Sequence, residues 1–101
     1  MTEAVAHCET PDRDTLALSG ALTFASAARI YEQAVVALGR GAQTRLDLSG
    51  LTRADSAGLA CVLALVALAS RAGRALRIAN LPDSLRALAE VCDARDLLKE
   101  S

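Results

Sequence analysis

The sequence is nearly empty of aromatic residues: its 101 positions hold one Phe, one Tyr and no Trp. A core must therefore be assembled from Leu, Val, Ile and Ala. The 52% hydrophobic content and a mean hydropathy of +0.29 supply enough of them. No excess of either charge exists. Eleven Lys and Arg against twelve Asp and Glu leave a net charge of −1 and a pI near 5.7. That balance gives no global attraction to nucleic acid or to anionic lipid. Cysteine is scarce and odd in number: Cys8, Cys61 and Cys92, with no C-x-x-C pair. This argues against a disulfide framework or a zinc site. It reads as reduced, mostly buried thiols of a cytosolic protein. The only histidine is His7, and nothing marks it as more than a surface or strand residue. The opening "MTEAVAHCETPDRD" is acidic and lacks the basic-then-apolar pattern of a signal peptide. Without repeats, low-complexity stretches or linkers, residues 1–101 are expected to form one domain.

A long hydrophobic run is also missing. The uncharged stretch from Ser56 to Ser70 covers fifteen residues and includes Gly58 and two serines. A membrane span needs roughly 20 apolar residues. The stretch is instead expected to be a mostly buried helix, with no direct membrane insertion.

Several shorter patterns are present. "EAVAHC", residues 3–8, reads as a weak first strand, and "TPDRD" as the turn after it. "TLALSG", residues 15–20, alternates Leu16 and Leu18 with smaller residues and ends at a glycine. Thr23 is placed to cap a helix running to about Leu38, with Ala27, Ile30, Tyr31, Ala34, Val35 and Leu38 at helical spacing, and Gly39 and Gly41 to end it. "TRLDLSG", residues 44–50, alternates again, with Leu46 and Leu48 on one face. "RALRIANL", residues 74–81, predicts a strand centred on Leu76 and Ile78. Pro82 and Asp83 suit a helix start in "PDSLRALAEV", where Leu85, Leu88 and Ala89 share a stripe, and "ARDLLK" adds a short final helix. The order is β-β-α-β-α-β-α. Helical links between the second, third and fourth strands predict parallel pairing, and the close first pair predicts a hairpin. The fold class is α/β: a small mixed sheet of about four strands with three to four helices packed on it.

The stretch "RADSAGLACVLALVALAS", residues 53–70, carries the functional signal. On a helix of about 3.6 residues per turn, Leu59, Val62, Leu63 and Val66 form a core stripe that Ala69 and Ser70 continue. The other side holds Ala57, Cys61, Ala64, Leu65 and Leu68 where an ordinary surface helix would carry charge. A helix apolar all round must be covered on both sides. The cover is either the C-terminal segment around Leu97 and Leu98 or another molecule, since exposed apolar patches mark interaction sites. Asp55 is placed to cap the helix, and Ser56 lies in its solvent-facing first turn as a candidate phosphorylation site. Ser56 lacks the setting of a nucleophile, because residues 54–58 read A-D-S-A-G and miss the first glycine of a G-x-S-x-G elbow. No phosphate loop, dinucleotide fingerprint, metal cluster or carboxylate pair stands out. A small enzyme or ligand binder would need a deep polar pocket with perturbed ionisable groups.

These residues resemble a known signature. "LDLSGLTRADSAGLACVLALVALASRAG" is similar to that of STAS domains, the sulfate-transporter and anti-sigma-factor-antagonist family, with Asp47, Leu48 and Ser49 followed by Asp55, Ser56, Ala57 and Gly58 at a helix start. "TLALSGALT" resembles the family's early strand and "LPDSLRALAEVCDARDLL" its last helix. Within the family the chain is most similar to the MlaB-like branch, from "DTLALSGALTF" and the short loop before D-S-A-G. That resemblance implies a non-enzymatic cytoplasmic subunit without a cofactor. Its partner would be the ATPase of an ABC-type phospholipid (Mla) transporter, whose assembly and activity it supports in a larger complex at the inner membrane. The alternative is an anti-sigma-factor antagonist switched by a partner kinase at Ser56. Ala57, where the antagonist branch often has a second Ser or Thr, weighs against that switch. The candidate partner-binding residues are Asp55, Ser56, Ala57, Gly58, Cys61, Ala64, Leu65 and Leu68.

Overall fold

A computed structural model describes residues 5–98 and residue 100. Its elements are β1 (His7–Asp12), β2 (Thr15–Leu22), α1 (Ala27–Arg40), β3 (Arg45–Ala54), α2 (Ser56–Arg71), β4 (Arg77–Ala79) and α3 (Asp83–Val91), followed by a 3-10 turn at Arg95–Leu97. The four strands form one sheet in the order β1-β2-β3-β4. The β1–β2 pair is antiparallel and the β2–β3 and β3–β4 pairs are parallel, as the sequence order predicts. Glu100 adds a parallel bridge to Ile78 at the β4 edge.

Alternation along the strands decides which face is covered. Leu16, Leu18, Leu46, Leu48 and Ile78 are buried in the core with Ile30, Ala34 and Leu38 of α1 and Leu59, Val62, Leu65 and Val66 of α2. Their neighbours His7, Glu9, Arg45, Ser49 and Arg77 are exposed on the opposite, open face. Helices α1 and α2 pack on each other and on the sheet, and α3 continues the layer beside α2. Leu85 and Ala89 provide the buried side of α3, with Leu88 half-buried.

Several element boundaries differ from the sequence expectation. Residues 3 and 4 of the expected first strand lie outside the described residues, and the strand continues through Thr10, Pro11 and Asp12. Pro11 is tolerated because β1 is an edge strand, where a missing N–H breaks no ladder. The turn is made by Arg13 and Asp14, with the Asp14 N–H donating to Asp12 Oδ1 at 2.9 Å. Helix α1 starts at Ala27 rather than after Thr23. Thr23 instead sits in a tight loop whose carbonyl accepts from the N–H groups of Ser26 and Ala27 at 2.9 and 2.8 Å. Strand β3 runs on to Ala54, four residues past the expected end, whereas β4 shrinks to three residues. The final segment makes only a 3-10 turn, and Lys99 of "ARDLLK" lies outside the described residues. Cys61 is buried and Cys8 half-buried, but Cys92 is exposed, so the thiols are not uniformly interior. No helix is long and apolar enough to cross a membrane among the described residues.

Arg74 lies in the loop before β4 and turns back to the C-terminal end of α1. There its Nη1 donates to the Leu38 carbonyl at 3.0 Å and its Nη2 to the Gly41 carbonyl at 2.9 Å. The guanidinium thus satisfies two carbonyls that have no partner within the helix and places a cation at the negative end of its dipole. Replacing Arg74 by alanine is expected to lower unfolding stability by about 1–3 kcal/mol, the range for a hydrogen-bonded charged group. Lysine should restore only part of this, since one ammonium lacks the fork that reaches both carbonyls. Urea unfolding of the two variants checks both statements.

Candidate partner-binding face

The site begins where β3 hands the chain to α2. Asp55 has extended backbone geometry and caps the helix, accepting the Gly58 N–H on Oδ1 at 3.0 Å. Its other oxygen, Oδ2, accepts the Phe24 N–H at 3.0 Å from the loop between β2 and α1. The Asp55 N–H in turn donates to the Leu22 carbonyl at 3.4 Å. One residue thus stitches the end of β2, the loop after it and the first turn of α2. The Phe24 and then the Gly58 hydrogen bonds hold the Asp55 carboxyl below the usual carboxylate range. The group is ionised at neutral pH and can act only as an acceptor.

Gly58 explains the spacing of the D-S-A-G stretch. A Cβ built on it would collide with the Leu22 carbonyl oxygen and press on the Ala54 Cβ. Helix α2 can approach the end of β2 this closely only with glycine there. The earlier half of the signature is also structural. Asp47 Oδ1 accepts from Asn80 Nδ2 at 3.0 Å and from the Ser49 N–H at 3.0 Å, joining β3 to the end of β4. The Asn80 bond, ahead of Ser49, lowers the Asp47 pKa.

Ser56 is exposed at the first position of α2. His7 stands on the open face of the sheet, away from the helical layer that carries Ser56. An exposed hydroxyl at a helix start is a modifiable or contact-making group.

The outer side of α2 differs from the sequence expectation. Leu65 is 0% exposed and Cys61 5%, and Gly58 is buried, so these three cannot form an outward flank. Gly58 is covered by the ends of β2 and β3, at the Leu22 carbonyl and Ala54, while Cys61 and Leu65 lie on the side of α2 that faces α1. Cys61 lines a groove with Ala27 and Tyr31, and Leu68, Ala69 and Ala72 line another with Val35 and Leu38 about two to three turns on. Leu65 lies between them on the same side of the helix. Of the two residues expected as cover, Leu97 is itself 61% exposed, whereas Leu98 is buried in the core at 4%. Leu68 is half-buried at the edge of the α1 contact. Burial also removes Cys61 from thiol chemistry, pushing its pKa up to about 11.

What does face outward is a ridge of small residues. Ala60 and Ala67 are exposed, and Ala57 and Ala64 are half-buried beside them. A groove of about 290 Å³ lies between this ridge and Ala27, Ala28 and Tyr31 of α1. A second, of about 460 Å³ and mainly apolar, lies between Leu63, Ala64, Val66 and Ala67 and the C-terminal Asp96 and Leu97. No charge interrupts the ridge from Ser56 to Ser70. The structure therefore brings Asp55, Ser56, Ala57 and Ala64 together on one surface, with Leu68 at its margin. The sequence reading missed Ala67 and Phe24, the second of these 86% exposed.

Comparison with known proteins agrees with this architecture. The family model described as "Mlab, STAS domain" matches residues 5–99. The chain belongs to the STAS family. The domain is similar in structure to the anti-sigma factor antagonist SpoIIAA in its unphosphorylated form, with a TM-score of 0.71 and 18% identity over 96% of this chain and 88% of that one. The phosphorylated form of SpoIIAA, described as a Bacillus cell fate determinant, gives a TM-score of 0.68 at 18% identity over 96% and 91%. At that identity the likeness shows the STAS fold. No curated protein matches the sequence.

Proposed function

We propose that this STAS domain is a non-enzymatic docking subunit of an ABC-type phospholipid transporter. It binds the cytoplasmic ATPase of that transporter through the outer ridge of α2 and supports the assembly and activity of the complex at the inner membrane. The observation that carries this reading is the uncharged ridge Ala57, Ala60, Ala64 and Ala67, open to solvent between two grooves. Small side chains leave little apolar area exposed in the free domain, yet let a partner helix approach closely, because interaxial distance follows the side chains at the contact. The MlaB-like family match supports the choice of partner.

The test is calorimetric binding of the purified transporter ATPase to the wild-type domain and to Ala60→Glu and Ala67→Glu. Both sites are exposed helical positions, so each variant should fold with stability within about 0.5 kcal/mol of wild type. An uncompensated charge buried in the interface should weaken binding by about a hundred-fold. Arg77→Glu, on the open face of the sheet, should bind normally. Normal binding by both ridge variants would remove this reading.

A second reading is favoured by one observation, the exposed Ser56 hydroxyl at a helix start in a fold shared with SpoIIAA. It makes the domain an anti-sigma-factor antagonist. Mass spectrometry after incubation with an anti-sigma kinase and ATP should then find phosphate on Ser56. Its absence, together with ATPase binding, selects the transporter role.

A further inference from the structure

The only phenylalanine in the chain is also the most exposed large apolar residue among the described residues, at 86%. The loop that carries it is nevertheless rigidly built. Ser26 Oγ donates to the Ala21 carbonyl at 2.7 Å and accepts the Thr23 N–H at 3.0 Å. The Thr23 carbonyl accepts two further N–H groups, and Asp55 Oδ2 holds the N–H of Phe24 itself. An exposed aromatic side chain on a loop whose backbone is already ordered has the properties of an interface anchor: large apolar area and little backbone entropy left to lose. It stands at the Ser56 end of α2, joined by the Asp55 carboxylate to the helix that bears the ridge.

We propose that Phe24 is a partner-contact residue that extends the α2 interface past its N-terminal end into an apolar socket on the transporter ATPase, and that Asp55 is the positioning residue that holds it there. This rests on the docking reading above and adds a specific contact to it. The chemistry of residue 55 follows from the number of acceptors required. Ser, Thr or Asn caps a helix about as well as Asp. Each offers one side-chain acceptor oxygen, whereas the carboxylate offers two. Holding Gly58 and Phe24 in the present geometry takes two separate acceptor oxygens, Oδ1 for one and Oδ2 for the other, which of these side chains only the carboxylate has. In Asp55→Asn the amide oxygen can keep the Gly58 bond, and the NH₂ group, a donor, cannot accept the Phe24 N–H.

The experiment measures ATPase affinity for Phe24→Ala, Phe24→Tyr, Asp55→Asn, the Phe24→Ala/Asp55→Asn double variant and Ala60→Glu, and amide hydrogen exchange in the free domains. Phe24→Ala should bind about ten- to a hundred-fold more weakly with unchanged thermal stability, the range for losing one buried phenyl ring. Phe24→Tyr should keep most of the affinity. Asp55→Asn should speed exchange of the Phe24 amide, leave that of Gly58 protected, and weaken binding. Its effect on binding should vanish in the Phe24→Ala background, since a purely structural role would persist there. If Phe24→Ala binds within about two-fold of wild type while Ala60→Glu fails, the anchor is overturned and the docking reading stands. If Ala60→Glu also binds normally, or the wild type does not bind, both fall. Unchanged Phe24 exchange in Asp55→Asn would overturn the positioning role.

Discussion

Truncating Leu65 to alanine is expected to lower the unfolding free energy by about 3–5 kcal/mol, toward the upper part of the range for buried leucines. Leu65 is 0% exposed between the sheet and α1, with Cys61 and Ala69 buried on the same side of α2. Its removal takes away transfer energy and leaves a cavity that two regular elements, tied at their ends by Asp55 and Arg74, cannot easily close. Domains of this size have roughly 5–15 kcal/mol in total, so the variant should be close to marginal. Urea unfolding followed by circular dichroism should show a large fall in midpoint with little change in slope. The contrast with Ala60→Glu separates two faces of one helix. The ridge variant should unfold like the wild type and lose its partner, while the Leu65 variant loses stability first. Equal stability of Leu65→Ala and wild type would mean that α1 does not cover this side.

That contrast shows where the sequence could be read and where it could not. Leu16 and Leu18, and again Leu46 and Leu48, alternate with smaller or polar residues because only one face of the sheet is covered. A period of two therefore survives in the sequence. Asp55 was legible as a cap because the requirement is local. The sides of α2 were not. Both are apolar, and periodicity cannot tell which one meets α1. Side-chain size held the answer: Cys61 and Leu65 pack inward, while Ala57, Ala60, Ala64 and Ala67 form the outer ridge. Thr23 was a plausible cap, but Ser26 stands at that position, and its Oγ bonds back to the Thr23 N–H and the Ala21 carbonyl rather than to the helix, contacts no window statistic contains. Strand β4 ends at Ala79 because Asn80 takes a positive φ of 58°, a backbone conformation that hydrophobic periodicity does not register. Phe24 has no periodic partner at all. Its signal was only that a chain nearly devoid of aromatic residues places its single phenylalanine in a loop.

Gly58→Ala should produce the second large loss, and a control can give it the opposite sign. In a helix, alanine is favoured over glycine by up to about 1 kcal/mol. At Gly39, where a Cβ would meet nothing within 4 Å, the same substitution should therefore raise stability, by up to about that amount. At Gly58 the new methyl group meets the Leu22 carbonyl oxygen, which is backbone and is also the acceptor of the Asp55 N–H. Relief requires the first turn of α2 to move away from the end of β2. Overpacking of this kind costs about 1–3 kcal/mol or more, enough to outweigh the helix-propensity gain. The movement would also strain both bonds of the Asp55 carboxylate, one to Gly58 and one to Phe24. Gly58→Ala should thus lower the thermal midpoint and also speed amide exchange at Phe24 beyond what its loss of global stability accounts for, a local effect that Leu65→Ala has no direct reason to share. A variant as stable as wild type, with Phe24 still protected, would show that the helix can shift without cost. The glycine of D-S-A-G would then lose its steric explanation.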